Sequence, residues 1–231
     1  MFPANLEAVL FDAGGTLVRI DYEYIAGVAA GLGFGVSEEA LLRGDAMARR
    51  AIDSRAGRLR GREETDAGRI PGYFEALLRA AGLEDAGVFA VLPLLEANHL
   101  ESVLWRVPAP GAELTLRGLE ERGVRRAIVS NSDGRVRGLL ERLGLVEHVE
   151  FVIDSHEEGV EKPDPEIFLR ALNRLGLPAE RTAYIGDIYS IDAVGARAAG
   201  LHPVLVDPTG AYAGVDCHTV ADLRELLAGL G

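Results

Sequence analysis

The spacing of hydrophobic residues changes twice along this 231-residue chain. Residues 6–12 are a short apolar run that ends on the carboxylate of Asp12, and this pattern predicts a buried strand. Between residues 18 and 106 the apolar positions recur at helical spacing, so we expect helices throughout that region. From residue 107 onward, short apolar runs alternate with helical patterns, which is typical of parallel strands joined by crossover helices.

The pattern also predicts approximate bounds for these elements. Four helices are expected at 21–32, 37–54, 63–81 and 84–105, with a kink or break at Pro71 and Gly72. The Arg-rich connector over 55–62 is expected to be a solvated loop rather than a substrate clamp, because runs of charge usually face water. In the last part of the chain we expect strands at 124–130, 149–153, 182–186 and 203–206, and helices that end at Arg122 or cover 134–143, 165–175, 191–199 and 221–230.

The first strand has no partner near it in sequence, so it must pair with the later strands. We therefore predict an α/β fold with two domains. Residues 1–17 and 107–231 would form a Rossmann-like core with a parallel sheet, and residues 18–106 would form an inserted all-helical domain. A composition of 48% hydrophobic and 26% charged residues is that of a globular protein with a full core.

The charge balance argues against two classes of partner. The formal net charge is −12, whereas nucleic acids and anionic membranes are bound mainly by Lys and Arg. The single cysteine, Cys217, excludes an internal disulfide and is typical of a reducing compartment. The first residues contain no basic stretch, and no apolar run approaches about 18 residues, so we expect no secretion signal, no membrane span and a cytoplasmic location. Nothing in the sequence indicates the oligomeric state.

Polar side chains follow the predicted strands at the point where each strand ends. Asp12 follows the first strand, Ser130 ends the second, Lys162 lies in the loop after the third, and Asp187 follows the fourth. Each of them has an ordinary explanation as a turn residue. In an open parallel sheet, however, the carboxyl ends of the strands line one crevice, so these four side chains can meet although they are far apart in sequence.

Composition distinguishes Lys162 from the other basic residues. Among the 24 Lys and Arg residues of the chain it is the only lysine. A compact ammonium and a planar guanidinium are not interchangeable at a tight site. The single lysine therefore indicates a position where arginine would not fit, with chance as the alternative.

Four motifs of the sequence occur in the same order as in a known family. They are Phe11-Asp-Ala-Gly-Gly-Thr-Leu17, Val129-Ser-Asn131, Lys162-Pro-Asp-Pro165 and Gly186-Asp-Ile-Tyr-Ser-Ile-Asp192. Together they resemble the haloacid dehalogenase (HAD) superfamily, and the resemblance covers the whole predicted sheet domain. It implies a sheet with strand order 5-4-1-2-3. Residues 18–106 are placed like the C1 cap, the mobile helical lid that helps to choose the substrate.

The resemblance also implies a role for each motif. Asp12 would be the nucleophile that forms an aspartyl-phosphate, Ser130 and Lys162 would bind the phosphoryl group, and Asp187 would help to hold Mg²⁺. The resemblance further implies that Gly15, Thr16 and Asn131 bind the substrate. The backbone carbonyl of Gly14 would be a metal ligand, and Asp192 would support the metal ligands without binding the metal itself. Hard oxygen ligands of this kind suit Mg²⁺. The five histidines have no ligand spacing that competes with this set.

One position departs from the family's phosphatase pattern. In those phosphatases the first motif is Asp-x-Asp, and the second Asp protonates the leaving group and then activates water. Here that position is Gly14. Because a positioned general acid contributes about 10²- to 10⁴-fold in rate, we expect alkyl phosphates to suffer most from its loss, and acyl, aryl or anhydride phosphates to suffer least.

Three functions therefore stay open at the level of sequence. The first is an Mg²⁺-dependent hydrolase of a small phosphorylated metabolite, and the second is a catalytically impaired phosphate-binding or regulatory protein. The third is a 2-haloacid dehalogenase, although those enzymes typically have Tyr where Gly14 stands and do not use Mg²⁺. A phosphonoacetaldehyde hydrolase would need a lysine in the cap, and residues 18–106 contain none.

Overall fold

The computed structural model describes residues 2–3, 5–56 and 66–229. The chain divides into two compact units. Unit 1 comprises Met1–Arg19 and Pro108–Gly231, and unit 2 comprises Ile20–Val107. Most of the predicted Arg-rich connector falls on residues 57–65, which lie outside the described part of the chain.

The secondary structure alternates as the sequence indicates, with a helical stretch between two β-containing parts. The strands are β1 (Ala8–Phe11), β2 (Val18–Ile20), β3 (Trp105–Pro108), β4 (Arg125–Ser130), β5 (Val152–Asp154), β6 (Thr182–Gly186), β7 (His202–Val206) and β8 (His218–Val220). The helices are α1 (Tyr22–Gly31), α2 (Glu38–Ala56), α3 (Asp66–Ala80), α4 (Asp85–Ser102), α5 (Ala112–Glu121), α6 (Val136–Arg142), α7 (Ser155–Glu158), α8 (Pro165–Leu175), α9 (Val194–Ala198) and α10 (Glu225–Ala228). A π-helix covers Tyr189–Ala193, and short 3₁₀ helices cover Val146–His148 and Ala179–Arg181.

Unit 1 is built on a six-stranded sheet with the order β5-β4-β1-β6-β7-β8. Every neighbouring pair is parallel. Along the chain, the first five strands of this sheet are β1, β4, β5, β6 and β7. Numbered 1 to 5 in that sequence and taken from the β7 side of the sheet, their order is 5-4-1-2-3, so the predicted α/β fold and strand order are confirmed. The sixth strand, β8, was not predicted, because its residues His218, Thr219 and Val220 do not form an apolar run.

The central strand, β1, explains why an apolar run begins the chain. All four of its residues are buried, as expected for a parallel strand that is covered on both faces. Phe11 lies opposite Ile128 of β4 and Ile185 of β6, so these three strands are in register at their carboxyl ends. The residue after β1, Asp12, is therefore delivered to the same edge of the sheet as the ends of β4 and β6.

Local chemistry determines how well the predicted bounds agree with the structure. The observed bounds of α8 match the prediction, because Asp164 caps the helix by accepting from the backbone N–H of Glu166, Pro165 starts it, and Gly176 ends it in the left-handed conformation. The last helix is shorter than predicted, with α10 covering Glu225–Ala228. The helix predicted at 191–199 is instead a π-helix followed by α9.

Unit 2 contains the four helices α1–α4 around its own apolar core, which includes Phe74, Leu77 and Leu95. Helix α3 continues through Pro71, so of the predicted kink or break the break is wrong, and the kink stays a prediction. Burial of Phe74 and Leu77, which follow the proline within the next two turns, stabilises the helix against the loss of one hydrogen bond at Pro71. The fourth helix ends at Ser102 rather than at Trp105, which belongs to β3.

Strands β2 and β3 form a separate two-stranded sheet, and both crossings of the chain between the units run through it. Neither strand was predicted, because an arginine interrupts each of them, Arg19 in β2 and Arg106 in β3, and no apolar run results. Within the described residues, no helix combines the length and the hydropathy that a membrane span requires.

Candidate active site

A tight loop after β1 holds Asp12 in a buried position. The carbonyl of Ala13 accepts hydrogen bonds from the backbone N–H groups of Thr16, Leu17 and Val18, so the chain turns immediately after Asp12. Gly15 has a positive φ of 85°, and a Cβ at this position would lie 2.0 Å from Oδ2 of Asp187. Only glycine therefore allows the loop to approach Asp187 this closely.

Lys162, in the loop after α7, contacts side chains from the end of β1, from β6 and from the π-helix. Its Nζ lies 2.6 Å from Oδ1 of Asp12 and 2.8 Å from Oδ1 of Asp192. A third hydrogen bond of 2.8 Å joins Nζ to the hydroxyl of Tyr184. The Lys162 side chain is only 2% exposed, so these three oxygens surround an ammonium that is shielded from water.

The π-helix places Asp192 so that its side chain turns back toward the end of β6. Oδ2 of Asp192 accepts hydrogen bonds from the backbone N–H groups of Asp187 (3.0 Å) and Ile188 (2.9 Å). A Cβ on Gly186 would lie 2.3 Å from Cγ of Asp192, so this approach also requires glycine. Both carboxylate oxygens of Asp192 are therefore held, one by Lys162 and one by backbone.

Asp12, Asp187 and Asp192 form a buried carboxylate cluster, in which one oxygen from each residue lies within 4.8 Å of the other two. Together with Lys162 the cluster carries one positive and three negative charges when all four groups are ionised. Such an excess of negative charge on hard oxygen ligands suits a divalent cation of the Mg²⁺ type. Both oxygens of Asp192 already accept hydrogen bonds, so of the three carboxylates Asp192 suits a supporting position better than direct contact with a metal.

The electrostatics of the cluster follow from its burial. Burial raises the pKa of Asp12 to about 7, although the Lys162 ammonium opposes this shift. Burial alone would lower the pKa of Lys162, but the carboxylates of Asp12 and Asp192 outweigh it and hold the pKa well above its usual value. Lys162 is therefore a permanent cation in this site.

The remaining predicted residues lie near the same edge of the sheet. Ser130 ends β4 and is buried, and Thr16 is buried in the loop after Asp12 with no hydrogen-bond partner for its hydroxyl among the described residues. The side-chain amide of Asn131 makes two bonds with the backbone of Lys162, donating to its carbonyl (2.9 Å) and accepting from its N–H (2.8 Å). Asn131 thus fixes the loop that carries the lysine.

Two residues of this region were not predicted from the sequence. Tyr184 sits inside an apolar strand, where an aromatic residue is expected to be part of the core. Asp154 ends β5 and accepts hydrogen bonds from the backbone N–H groups of Gly134 and His156, which ties the loop after β4 to the start of α7. Asp154 could have been found from the sequence, because it is a carboxylate at the end of an apolar strand. For Tyr184 the sequence contains no such signal.

A family model described as haloacid dehalogenase-like hydrolase matches residues 6–200, which include all four motifs and the carboxylate cluster. The chain belongs to the haloacid dehalogenase-like hydrolases. This membership confirms the resemblance in the sequence. It also agrees with a site in which a buried carboxylate and an ammonium are paired.

Individual members of the haloacid dehalogenase-like hydrolases show different degrees of likeness. Haloacid dehalogenase-like hydrolase domain-containing protein 3 from Bos taurus is 44% identical over 129 residues, which cover 54% of this chain and 50% of that protein. The chain thus spans about half the length of the curated mammalian relatives it matches. Glyceraldehyde 3-phosphate phosphatase from Methanothermobacter thermautotrophicus is 29% identical over 163 residues, which cover 67% of this chain and 72% of that protein.

Solved structures show the same fold. The HAD hydrolase YfnB from Bacillus subtilis, crystallised with bound magnesium, superposes with a TM-score of 0.66 at 22% identity, covering 98% of this chain and 99% of that chain. At this level of identity the likeness establishes the fold of the haloacid dehalogenase-like hydrolases and nothing about substrate.

Proposed function

We propose that this protein is an Mg²⁺-dependent phosphohydrolase that acts on a small phosphorylated metabolite through a phosphorylated Asp12. The observation that carries the proposal is the contact of 2.6 Å between Lys162 Nζ and Asp12 Oδ1 inside a buried cluster of carboxylates. A carboxylate next to a cation can attack phosphorus without strong base chemistry, and clustered positive charge stabilises the phosphoryl oxygens. The phosphatase name of the Methanothermobacter relative supports the same class of reaction.

The reaction has two steps at Asp12. In the first, a carboxylate oxygen of Asp12 forms a bond to phosphorus while the bond to the leaving oxygen breaks, and the leaving group takes the electron pair. In the second, water attacks phosphorus, which releases inorganic phosphate and restores the carboxylate. Lys162 and Ser130 would bind the phosphoryl oxygens, with Gly15 and Thr16 in the loop beside them and Asn131 fixing the Lys162 loop.

Asp12, Asp187 and the backbone carbonyl of Gly14 would hold Mg²⁺, which when bound supplies positive charge at the phosphoryl oxygens. Asp192 would support these ligands, because its own oxygens bond to Lys162 and to backbone N–H groups. Lys162 would balance part of the negative charge that the substrate brings to the carboxylates.

Because position 14 is glycine and has no carboxylate, the site favours substrates whose leaving group can depart without being protonated. An alkyl phosphate needs a proton on its leaving oxygen, whereas an acyl or aryl phosphate leaves as a stabilised anion. We therefore propose a preference for good leaving groups. Unit 2, which covers Ile20–Val107, would serve as the C1-type helical cap that selects among them. The single cysteine supports a reducing compartment such as the cytoplasm.

A substrate screen tests the proposal. Wild type and Asp12→Asn are assayed with acetyl phosphate, p-nitrophenyl phosphate and sugar phosphates, each in Mg²⁺ and in EDTA. We expect turnover only by the wild type in Mg²⁺, fastest on acetyl phosphate. Tight phosphate binding without turnover would favour the impaired binding protein instead. Halide release from 2-haloacids in EDTA would favour the dehalogenase.

A further inference from the structure

Tyr184 is a buried polar side chain in a strand that is otherwise apolar. It lies in β6, two residues before Gly186, and none of its surface is exposed. Its ring packs edge-on against Phe168, with 4.8 Å between the ring centroids. Its hydroxyl lies 2.8 Å from Nζ of Lys162, 3.0 Å from the carbonyl oxygen of Val129 and 3.2 Å from Oδ1 of Asp192. Phenylalanine would pack against Phe168 equally well, so the packing of the ring does not explain why a hydroxyl is present.

The hydroxyl of Tyr184 is one of three hydrogen-bond acceptors around the Lys162 ammonium. An ammonium has three N–H donors, and Lys162 directs them to Asp12, Asp192 and Tyr184. The Tyr184 hydroxyl accepts from Lys162 and has one proton to donate, for which the carbonyl of Val129 at 3.0 Å and Oδ1 of Asp192 at 3.2 Å are the acceptors. Val129 directly precedes Ser130 in β4. Through Val129 the hydroxyl connects the ammonium to the backbone of the sheet. The other two partners of the ammonium are charged carboxylates, and one of them, Asp12, would also contact the cation and the substrate.

We propose that Tyr184 is a positioning residue that holds the Lys162 ammonium in place between Asp12 and Asp192. Bonds to two carboxylate oxygens fix the distance of Nζ from each of them but still allow the nitrogen to move on a circle around the line that joins the two oxygens. The third bond, from a neutral partner anchored to Val129, removes this freedom without adding charge to the cluster. The effect on catalysis rests on the proposed function, but the contact itself does not.

Because Lys162 is the only lysine of the chain, its side chain can be observed alone. Protein labelled with ¹³C and ¹⁵N in lysine gives a single set of lysine side-chain signals. In the wild type we expect slow exchange of the Nζ protons and contacts from the Lys162 side chain to the Tyr184 ring, whose centroid lies 5.4 Å from Nζ. Absence of these contacts in the folded wild type would overturn the proposal before any variant is made.

Tyr184→Phe removes the hydroxyl and keeps the ring that packs on Phe168. We expect its Lys162 signal to shift and its Nζ protons to exchange faster, because one of three acceptors is lost. On acetyl phosphate we expect kcat to fall about 10- to 100-fold, which is the range for residues that hydrogen-bond to a metal ligand and orient it. We expect a much smaller change in KM, because the charge of Lys162 remains. Tyr212→Phe, which removes another buried hydroxyl in unit 1, is the matched control and should leave the lysine signal unchanged.

The outcomes separate the contact from the function. A Tyr184→Phe protein whose lysine signal matches that of the wild type, or whose kcat stays within about twofold, would overturn the positioning role. If the wild type itself turns over no phosphate compound in Mg²⁺, the proposed function fails on its own. The lysine signals of the two variants then still decide whether Tyr184 positions Lys162.

Discussion

Replacing Lys162 by arginine keeps the positive charge and changes only its shape. In the structure a single nitrogen contacts three oxygens at 2.6–2.8 Å, in a site where the side chain is 2% exposed. A guanidinium is wider than an ammonium and presents its donors in one plane, so it cannot reach Asp12, Asp192 and Tyr184 from the same position. Arginine must therefore displace at least one of them.

The size of the effect follows from this crowding. Overpacking a well-filled buried site costs typically about 1–3 kcal/mol in the free energy of unfolding. Misplacing a catalytic group by about 1 Å costs on the order of 10²-fold in rate. We therefore expect Lys162→Arg to lose at least about 100-fold in kcat/KM. That loss should approach the loss of Lys162→Met, which leaves the buried carboxylates without their cation.

The assay is hydrolysis of acetyl phosphate in saturating Mg²⁺, measured together with thermal unfolding of each variant. Arg142→Lys, which exchanges the same two residue types at an exposed site on α6, is the control and should match the wild type. An arginine variant that works within about threefold of the wild type would refute the reasoning. The single lysine would then be a coincidence of composition.

Three further predictions concern the other groups of the cluster. Asp12→Asn should abolish turnover while circular dichroism shows an intact fold, because an amide is a far poorer nucleophile; residual activity within about tenfold would remove Asp12 from that role. Gly14→Asp should raise kcat on alkyl phosphates by about 10- to 10³-fold and on acetyl phosphate by less; equal gains would show that protonation of the leaving group is not the limiting defect. Because burial raises the pKa of Asp12 to about 7, a proton competes with Mg²⁺ below that pH, and calorimetry should show affinity falling up to about tenfold per pH unit below 7 and constant above it. A pH dependence that survives in Asp12→Asn would contradict the last prediction.

The sheet and the order of its first five strands were predictable from sequence, because long apolar runs and strong caps carry their own signals. The bounds of β6 and α8 agree with the prediction at both ends for that reason. Strands β2, β3 and β8 were not predictable, since charged or polar residues interrupt them and they form no apolar run, unlike the equally short β1 and β5.

The candidate site was predictable to the extent that its residues end strands. The convergence of Asp12, Lys162 and Asp187 follows from parallel pairing, and the structure brings these side chains together. The π-helix that turns Asp192 back onto β6 could not be predicted, because its sequence reads as an ordinary helix. The bond from Lys162 to Tyr184 depends on packing between distant segments, which no local pattern encodes.

Chemical trapping of a phosphorylated Asp12 tests the central claim most directly. The protein is mixed with acetyl phosphate in Mg²⁺ and quenched in acid within one turnover, and any acyl phosphate is reduced with borohydride, which converts a phosphorylated aspartate to homoserine. Peptide mass spectrometry should then find homoserine in place of Asp12, in the wild type and not in Asp12→Asn. Phosphate release with Asp12 unmodified, or with the reduced carboxylate elsewhere in the chain, would contradict the account.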